Sequence, residues 1–318
     1  MSGTTAAPAA TTSPGGETSR RRRRARRLST FDRVVLFLMA GIPAVIVVAI
    51  VWLPALATVG LSFTDYDGFK PLSSVKNVGL KNFDDVTTNY PPFRPALEHN
   101  LIWLAVTFAV PTVLGMFLAV LLDREIRFSR VYQSAFFLPV VLSLALVGFI
   151  WQLIYSRDQG LLNAVLGLKG NDAVDWYGDS SVNLWAVLVA ASWRHTGYIM
   201  LLYLAGLKGV DPTLREAAAV DGASETKTFF RVVFPVMRPI NIIVFVVTVI
   251  ESLRAFDLVY IVNKGRNGLE LIGALVFNNI VGEGQRIPFG SALATIMLLI
   301  SLVLIAFYVP AVMREDKP

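Results

Sequence analysis

The sequence predicts an all-α polytopic membrane protein with six transmembrane helices and both termini in the cytoplasm. Three observations lead there. Of its 318 residues, 54% are hydrophobic and 16% are charged, against about 25% charged in an average soluble domain. Six apolar segments are each long enough to cross about 30 Å of hydrocarbon. The basic residues gather in alternate connecting segments. A soluble globule would lack the polar surface to cover this much apolar side chain, and the mean hydropathy of +0.58 agrees. A soluble enzyme, a coiled coil and a disordered chain are disfavoured together.

Residues 1–30 are predicted to be a disordered, basic cytoplasmic tail. They begin with Ser, Thr, Ala, Gly and Pro and then carry seven arginines (Arg20 to Arg24, Arg26, Arg27) against one acid, Glu17. The net charge of +6 therefore sits in this tail, and the remaining bases and acids balance. A basic run beside an apolar helix reads as a topology signal and an anionic-lipid contact, not as a nucleic-acid site.

Residues 31–318 form the predicted membrane domain. Its first helix, Val34–Leu61, has 28 residues and no charge, too long for the apolar region of a cleaved signal peptide. The others are predicted over His99–Leu122, Tyr132–Tyr155, Val182–Leu207, Val232–Leu253 and Phe289–Met313. Prolines 43, 54, 111, 139, 235 and 239 fall within or at the ends of these segments and predict kinked helices in a bundle. With the N-terminus inside, the cytoplasmic segments hold 18 bases and the external ones 10. This bias gives the N-in, C-in orientation.

The chain has no cysteine and two histidines, His99 and His195. Disulfides and thiolate chemistry are excluded, and little remains for a zinc site. There is no phosphate-binding G-x-x-x-x-G-K-[ST] loop, so the chain has no nucleotide site of that type.

The longest cytoplasmic loop is the most informative segment. Asp211 followed by Pro212 is an N-cap with proline at the first helical position. A helix should run through Glu216, Ala217, Ala218 and Ala219 and stop near Gly222, which tolerates positive φ. Ser224 caps a second short helix towards Arg231 and Pro235. The alanines offer a thin face flanked by Glu216 and Asp221, suited to helix-in-groove docking. The residues alone equally fit a surface helix with no partner, since capped Ala-rich helices are ordinary.

Glu216-Ala217-Ala218, then Gly222, then Val232-Val233-Phe234-Pro235 resembles the EAA motif of ABC importer permeases in both spacing and loop position. Asp221 and Ala223 also meet the extended form of the sugar-importer branch. Leu61-Ser62-Phe63-Thr64-Asp65-Tyr66, Val78-Gly79-Leu80-Lys81-Asn82-Phe83 and Arg254-Ala255-Phe256-Asp257-Leu258-Val259-Tyr260 are similar to that branch as well. The external stretch Val262–Gly268 departs from it, lacking the usual glycine pair and proline.

The resemblance implies a MetI-like permease core with an EAA coupling loop over 208–231. It implies a multi-pass subunit of the bacterial inner membrane that transports a mono- or oligosaccharide and has no catalytic site. The implied partners are a second similar permease, a cytoplasmic ATPase dimer that uses ATP and Mg, and an extracellular solute-binding protein. It assigns docking to Glu216 and Gly222, with Ala217, Ala218, Asp221 and Pro235 in the same motif. Glycerol-phosphate or another polyol is the alternative substrate, and a non-transporting membrane scaffold the alternative role.

Inside the membrane, Arg194 and His195 lie mid-way along the fourth helix, with Tyr198 one turn on. An arginine at bilayer depth costs about 2.5–3.5 kcal/mol on insertion scales, so it should face the bundle interior or a wet cavity. One reading makes Arg194, His195, Tyr198, Asn241 and Glu251 the substrate path. The other pairs Arg194 with Glu251 as a structural lock. An intramembrane enzyme would want paired carboxylates, and Glu251 has no acidic twin. Trp52, Trp103, Trp151, Trp185 and Tyr177 are expected in the interfacial belt.

Overall fold

The computed structural model describes Gly3 and residues 29–313 apart from Glu125 and Glu283. The predicted tail with its arginine run lies outside the described residues, as do residues 314–318. Among the described residues the regular structure is helical, with one isolated antiparallel bridge between Thr64 and Asn77. The chain divides into two units, residues 1–53 and 54–318.

The described part of the first unit is helix. It runs from Thr30 to Val47 and through a π turn, Val48–Trp52, and the helix then continues over Leu53–Leu61. We call the apolar run Arg33–Leu61 α1. Pro54 explains the π turn. It has no N–H and its ring crowds the preceding turn, so the ladder widens there and the Leu53 N–H reaches back to Val48 O.

In the second unit the helices are α2 (Lys81–Thr88), α3 (Phe93–Asp123), α4 (Ser129–Val141), α5 (Leu144–Tyr155), α6 (Leu161–Leu166) and α7 (Asn183–Lys208). They are followed by α8 (Pro212–Val220), α9 (Glu225–Val236), α10 (Arg238–Leu253), α11 (Asp257–Asn263), α12 (Ile272–Ile280) and α13 (Ile287–Met313).

The unit is organised around the α3–α7 pair. Buried residues on α3 recur every three or four positions: Ala96, Asn100, Trp103, Thr107, Pro111, Gly115, Ala119 and Leu122. This is one stripe of a helix; its later part packs on α7, and its start meets α10 and α12. Contact is closest at Gly115, where a Cβ would lie 2.8 Å from Ile199 Cγ2 and 2.9 Å from the Met200 backbone nitrogen. Two apolar clusters include both helices, and a third packs the start of α3 against α12 and α13. Ile199, Tyr203 and Leu207 centre the first, Trp103, Val187 and Leu188 the second, and Ala96, Ile272 and Leu293 the third.

Two predicted spans are broken. The segment predicted as one helix over Tyr132–Tyr155 is α4 and α5, bent by 100°. Leu142 and Ser143 are extended, and the Ser143 hydroxyl caps α5 by accepting the Leu146 N–H. Pro139 weakens the ladder just upstream. The fifth predicted span is bent by 71° between Val236 and Arg238. There a π turn over Phe229–Val233 precedes Pro235, as at Pro54, and Pro239 restarts the helix.

By length and composition, three described helices can cross a membrane (α1, α3 and the Ile287–Tyr308 part of α13), or up to five if each bent pair is one span. The fourth predicted span is continuous as α7 but falls short on apolarity, because it carries Ser192, Arg194, His195, Thr196 and several small residues. Fifteen of its 26 residues are buried. A helix sheltered by its neighbours need not be apolar on every side.

Candidate functional site

The EAA-like motif folds as its residues require. Asp211 accepts the Thr213 N–H at 2.9 Å and caps α8, and that bond holds its carboxyl below the ordinary 3.8. Gly222 closes the helix at φ +73°. Its N–H donates to Ala219 O, and the Ala223 N–H donates to Ala218 O, both at 3.0 Å. This is the paired C-terminal cap that needs a left-handed residue. Ser224 then accepts the Lys227 N–H at 3.4 Å and starts α9.

The three alanines do not share a face. Successive helical residues point about 100° apart. Ala218 turns inward and is 7% exposed, while Ala217 and Ala219 are exposed and Val220 is 88% exposed. Glu216, Asp221, Gly222 and Pro235 are exposed as well. Among the described residues, neither Glu216 nor Asp221 forms an ion pair, so the outward face of α8 keeps two free carboxylates beside small apolar side chains.

Long-range ion pairs, not read from the sequence, hold this loop. Arg215 Nη1 lies 2.8 Å from Asp123 Oδ2 at the end of α3, and Lys208 Nζ lies 3.6 Å from Asp123 Oδ1. Arg124 Nη2 lies 2.7 Å from Glu225 Oε2.

Deeper in the unit, a narrow cleft opens between α3, α7, α10 and α11. The predicted residues Arg194, His195 and Glu251 line it together. Tyr198 does not; its ring lies 6.2 Å from the His195 ring, one turn along α7. Asn241 lies outside the cleft, and its Oδ1 is buried without a partner. Trp103, Thr107, Ser252, Arg254 and Asp257 complete the lining.

The proposed lock between Arg194 and Glu251 does not form. Among the described residues Arg194 has no ion pair, and its Nε is buried with no hydrogen-bond partner. It is His195 that ties α7 to α10, its Nε2 3.1 Å from Thr248 Oγ1. Glu251, one turn along, is exposed.

A buried polar seam continues from there. The Ser252 hydroxyl donates to Thr248 O at 2.7 Å and meets Thr107 Oγ1 at 2.7 Å. Asn100 donates to Ser252 O at 3.2 Å and accepts the Ile272 N–H at 2.8 Å.

Of the aromatics expected at the interface, Trp103 is packed inside instead, while Trp151 and Tyr177 are half-buried. Trp103 is 3% exposed against the cleft. Trp151 sits between Tyr155 and Trp193, and Tyr177 meets Tyr155 edge-on at 5.2 Å. Trp52 and Trp185 are exposed, as a belt requires. The divergent loop Val262–Gly268 places Lys264, Gly265, Asn267 and Gly268 at positive φ. It is pinned through Asn267, which donates to Gly178 O at 2.8 Å and accepts from Asn183 at 2.7 Å.

Known proteins resemble this arrangement closely. Residues 111–313 match the family model described as binding-protein-dependent transport system inner membrane component. The xylose/arabinose import permease XacH of Haloferax volcanii is 33% identical over 84% of this chain and 84% of its own length. The arabinooligosaccharides transport permease AraP of Halalkalibacterium halodurans is 30% identical over 73% of this chain and 74% of its own. The crystal structure of a bacterial ABC transporter involved in alginate import contains a chain sharing the fold, at a TM-score of 0.75 and 19% identity over 90% of this chain and 98% of that one. On this shared length, the chain belongs to the binding-protein-dependent inner membrane components, the permease subunits of ABC importers.

Proposed function

We propose that this chain forms half of the translocation path of an ATP-driven importer for a neutral mono- or oligosaccharide. The cleft around Arg194 carries this reading. It sets two guanidinium groups, Arg194 and Arg254, against two carboxylates, Glu251 and Asp257, beside the Trp103 indole. Planar donors, acceptors and an aromatic face suit hydroxyl-rich rings. The balanced charge favours a neutral sugar over glycerol-phosphate, which would want an uncompensated cation. The relatives named for xylose, arabinose and arabinooligosaccharides point the same way.

The partners follow from the loop and the family. The outward face of α8, with Glu216 and Asp221 free, docks on one subunit of a cytoplasmic ATPase dimer, where ATP and Mg are bound. A second permease completes the path, and an external binding protein delivers the sugar. A related alginate transporter has been crystallised with its pentasaccharide-bound periplasmic protein. We place the chain in a bacterial inner membrane with six spans, both ends inside. The 18 cytoplasmic against 10 external bases support that orientation, and α7 supplies the sixth span beside α1, α13, α3 and the two bent pairs.

The test is uptake of labelled pentose by reconstituted complexes carrying Arg194→Ala, with assembly followed separately. A rise in the half-saturation concentration of at least about tenfold is expected from losing a charged hydrogen-bond donor. Unchanged kinetics in a fully assembled variant would refute the path, and inhibition by glycerol-phosphate but not by neutral sugars would refute the substrate class.

A further inference from the structure

We propose that Asp123 is the joint through which displacement of α8 reaches the cleft, a positioning residue for coupling. This rests on the reading that α8 docks on an ATPase.

Asp123 is the last residue of α3. A carboxylate there faces the negative end of the helix dipole and is unfavourable to α3 itself. Cations from outside the helix compensate it. Arg215 of α8 lies at 2.8 Å and Lys208 of α7 at 3.6 Å, and the Asp123 side chain is 12% exposed. Arg215 Nη2 also donates to Leu207 O at 3.3 Å. One guanidinium therefore fastens α8 to the ends of both α3 and α7, the two helices packed most closely in the unit. The Arg124–Glu225 pair, with side chains 59% and 82% exposed, is weakened by solvent and adds little.

Neighbouring positions on α8 divide the work. Glu216 is exposed on the outer face, and Arg215, about 100° around the helix, reaches back to α3. Sixteen residues from Asp123 along the same helix is Thr107, in the cleft wall, about 24 Å away at 1.5 Å per residue. A push on α8 is thus delivered to α3 at its end and moves the wall that carries Trp103 and Thr107. The helix stays continuous through Pro111 and Gly115, which lie between.

Asp123→Asn keeps the shape and removes the charge. Sugar moved per ATP hydrolysed should fall at least about fivefold, a coupling loss of ordinary allosteric size, while the ATPase still co-purifies. In the isolated variant permease, trypsin should cut within residues 208–231 faster than in the parent. That readout needs no ATPase, so failure of the docking reading, seen as a parent chain that never captures the ATPase, is distinguishable.

The chain has no cysteine, which permits a second variant, Asp123→Cys with Arg215→Cys, joined or not by a short thiol-reactive linker. Coupling lost without the linker and restored with it supports the joint. Coupling unchanged in both variants, or lost and not restored by the linker, overturns it.

Discussion

Replacing Asn100 with leucine keeps the branched outline and heavy-atom count of a buried side chain and removes a cap that crosses the fold. α12 begins at Ile272 after Leu271, which has no side chain able to cap it, so the first-turn N–H groups lack a local acceptor. Asn100, 2% exposed on α3, supplies one by accepting the Ile272 N–H at 2.8 Å. Its amide also donates to Ser252 O at 3.2 Å. In the variant the Ile272 N–H stays in the apolar cluster unpaired, which costs about 1–3 kcal/mol. Ser252 O keeps the Ala255 N–H at 3.4 Å, so losing the second bond adds only about 0.5–1 kcal/mol. Interhelical hydrogen bonds in membranes fall at the low end of such ranges, which leaves about 1.5–2.5 kcal/mol. At about 2–4 °C per kcal/mol for a domain of this size, the midpoint should fall by about 3–10 °C. The assay is thermal unfolding of the purified chain in detergent, beside Gln152→Leu. Gln152 is half-buried and makes one bond, to Ile261 O at 3.1 Å, so its loss should cost less than half as much. Equal shifts for the two variants would refute the long-range cap.

Three further outcomes are expected. Gly222→Val forces a β-branched residue to φ +73°, where an L residue pays about 1–2 kcal/mol; ATPase capture should fall and the midpoint should drop by about 2–8 °C, as a pull-down and a melt will show. Gly115→Val drives a side chain into Ile199 and the Met200 backbone, and overpacking should cost about 1–3 kcal/mol in the same melt, with Gly115→Ala milder. Asp211 has a carboxyl lowered by the Thr213 N–H, so its stabilisation is complete above the ordinary value of 3.8 and is lost only as pH falls through the lower folded value. Protease resistance of the loop should therefore be flat from pH 5 to 8, and Asp211→Ala should lower it throughout that window.

The loop over residues 208–231 was legible residue by residue because its signals are local. Asp-Pro, Gly222 and Ser224 each act on backbone within four positions, and each does what its chemistry demands. The inward turn of Ala218 was also available, since three consecutive helical residues cannot share a face. The bend at Leu142–Ser143 was half visible. Pro139 announced a kink, but Ser143 as an N-cap inside an apolar run was taken for continuous helix. The Arg215–Asp123 pair joins residues 92 positions apart, and no spacing rule reaches that far. The cleft was partly legible. Intramembrane charge singled out Arg194, His195 and Glu251, whereas Trp103 was assigned to the membrane surface because indole is common there. Asn100, Trp103 and Thr107 recur at three- and four-residue intervals on α3, and that polar-aromatic stripe was the overlooked signal.

The sheltered character of α7 bears on how the chain enters the membrane. A segment carrying Arg194 and His195 partitions poorly into lipid by itself, since a central arginine alone weighs about 2.5–3.5 kcal/mol against insertion. Its partners on α3 are synthesised earlier and present the matching positions from Trp103 to Leu122. Integration of α7 is then a packing event as much as a partitioning one. Weakening the α3 stripe should leave α7 stranded on the wrong side of the membrane before any folded transporter exists to be tested.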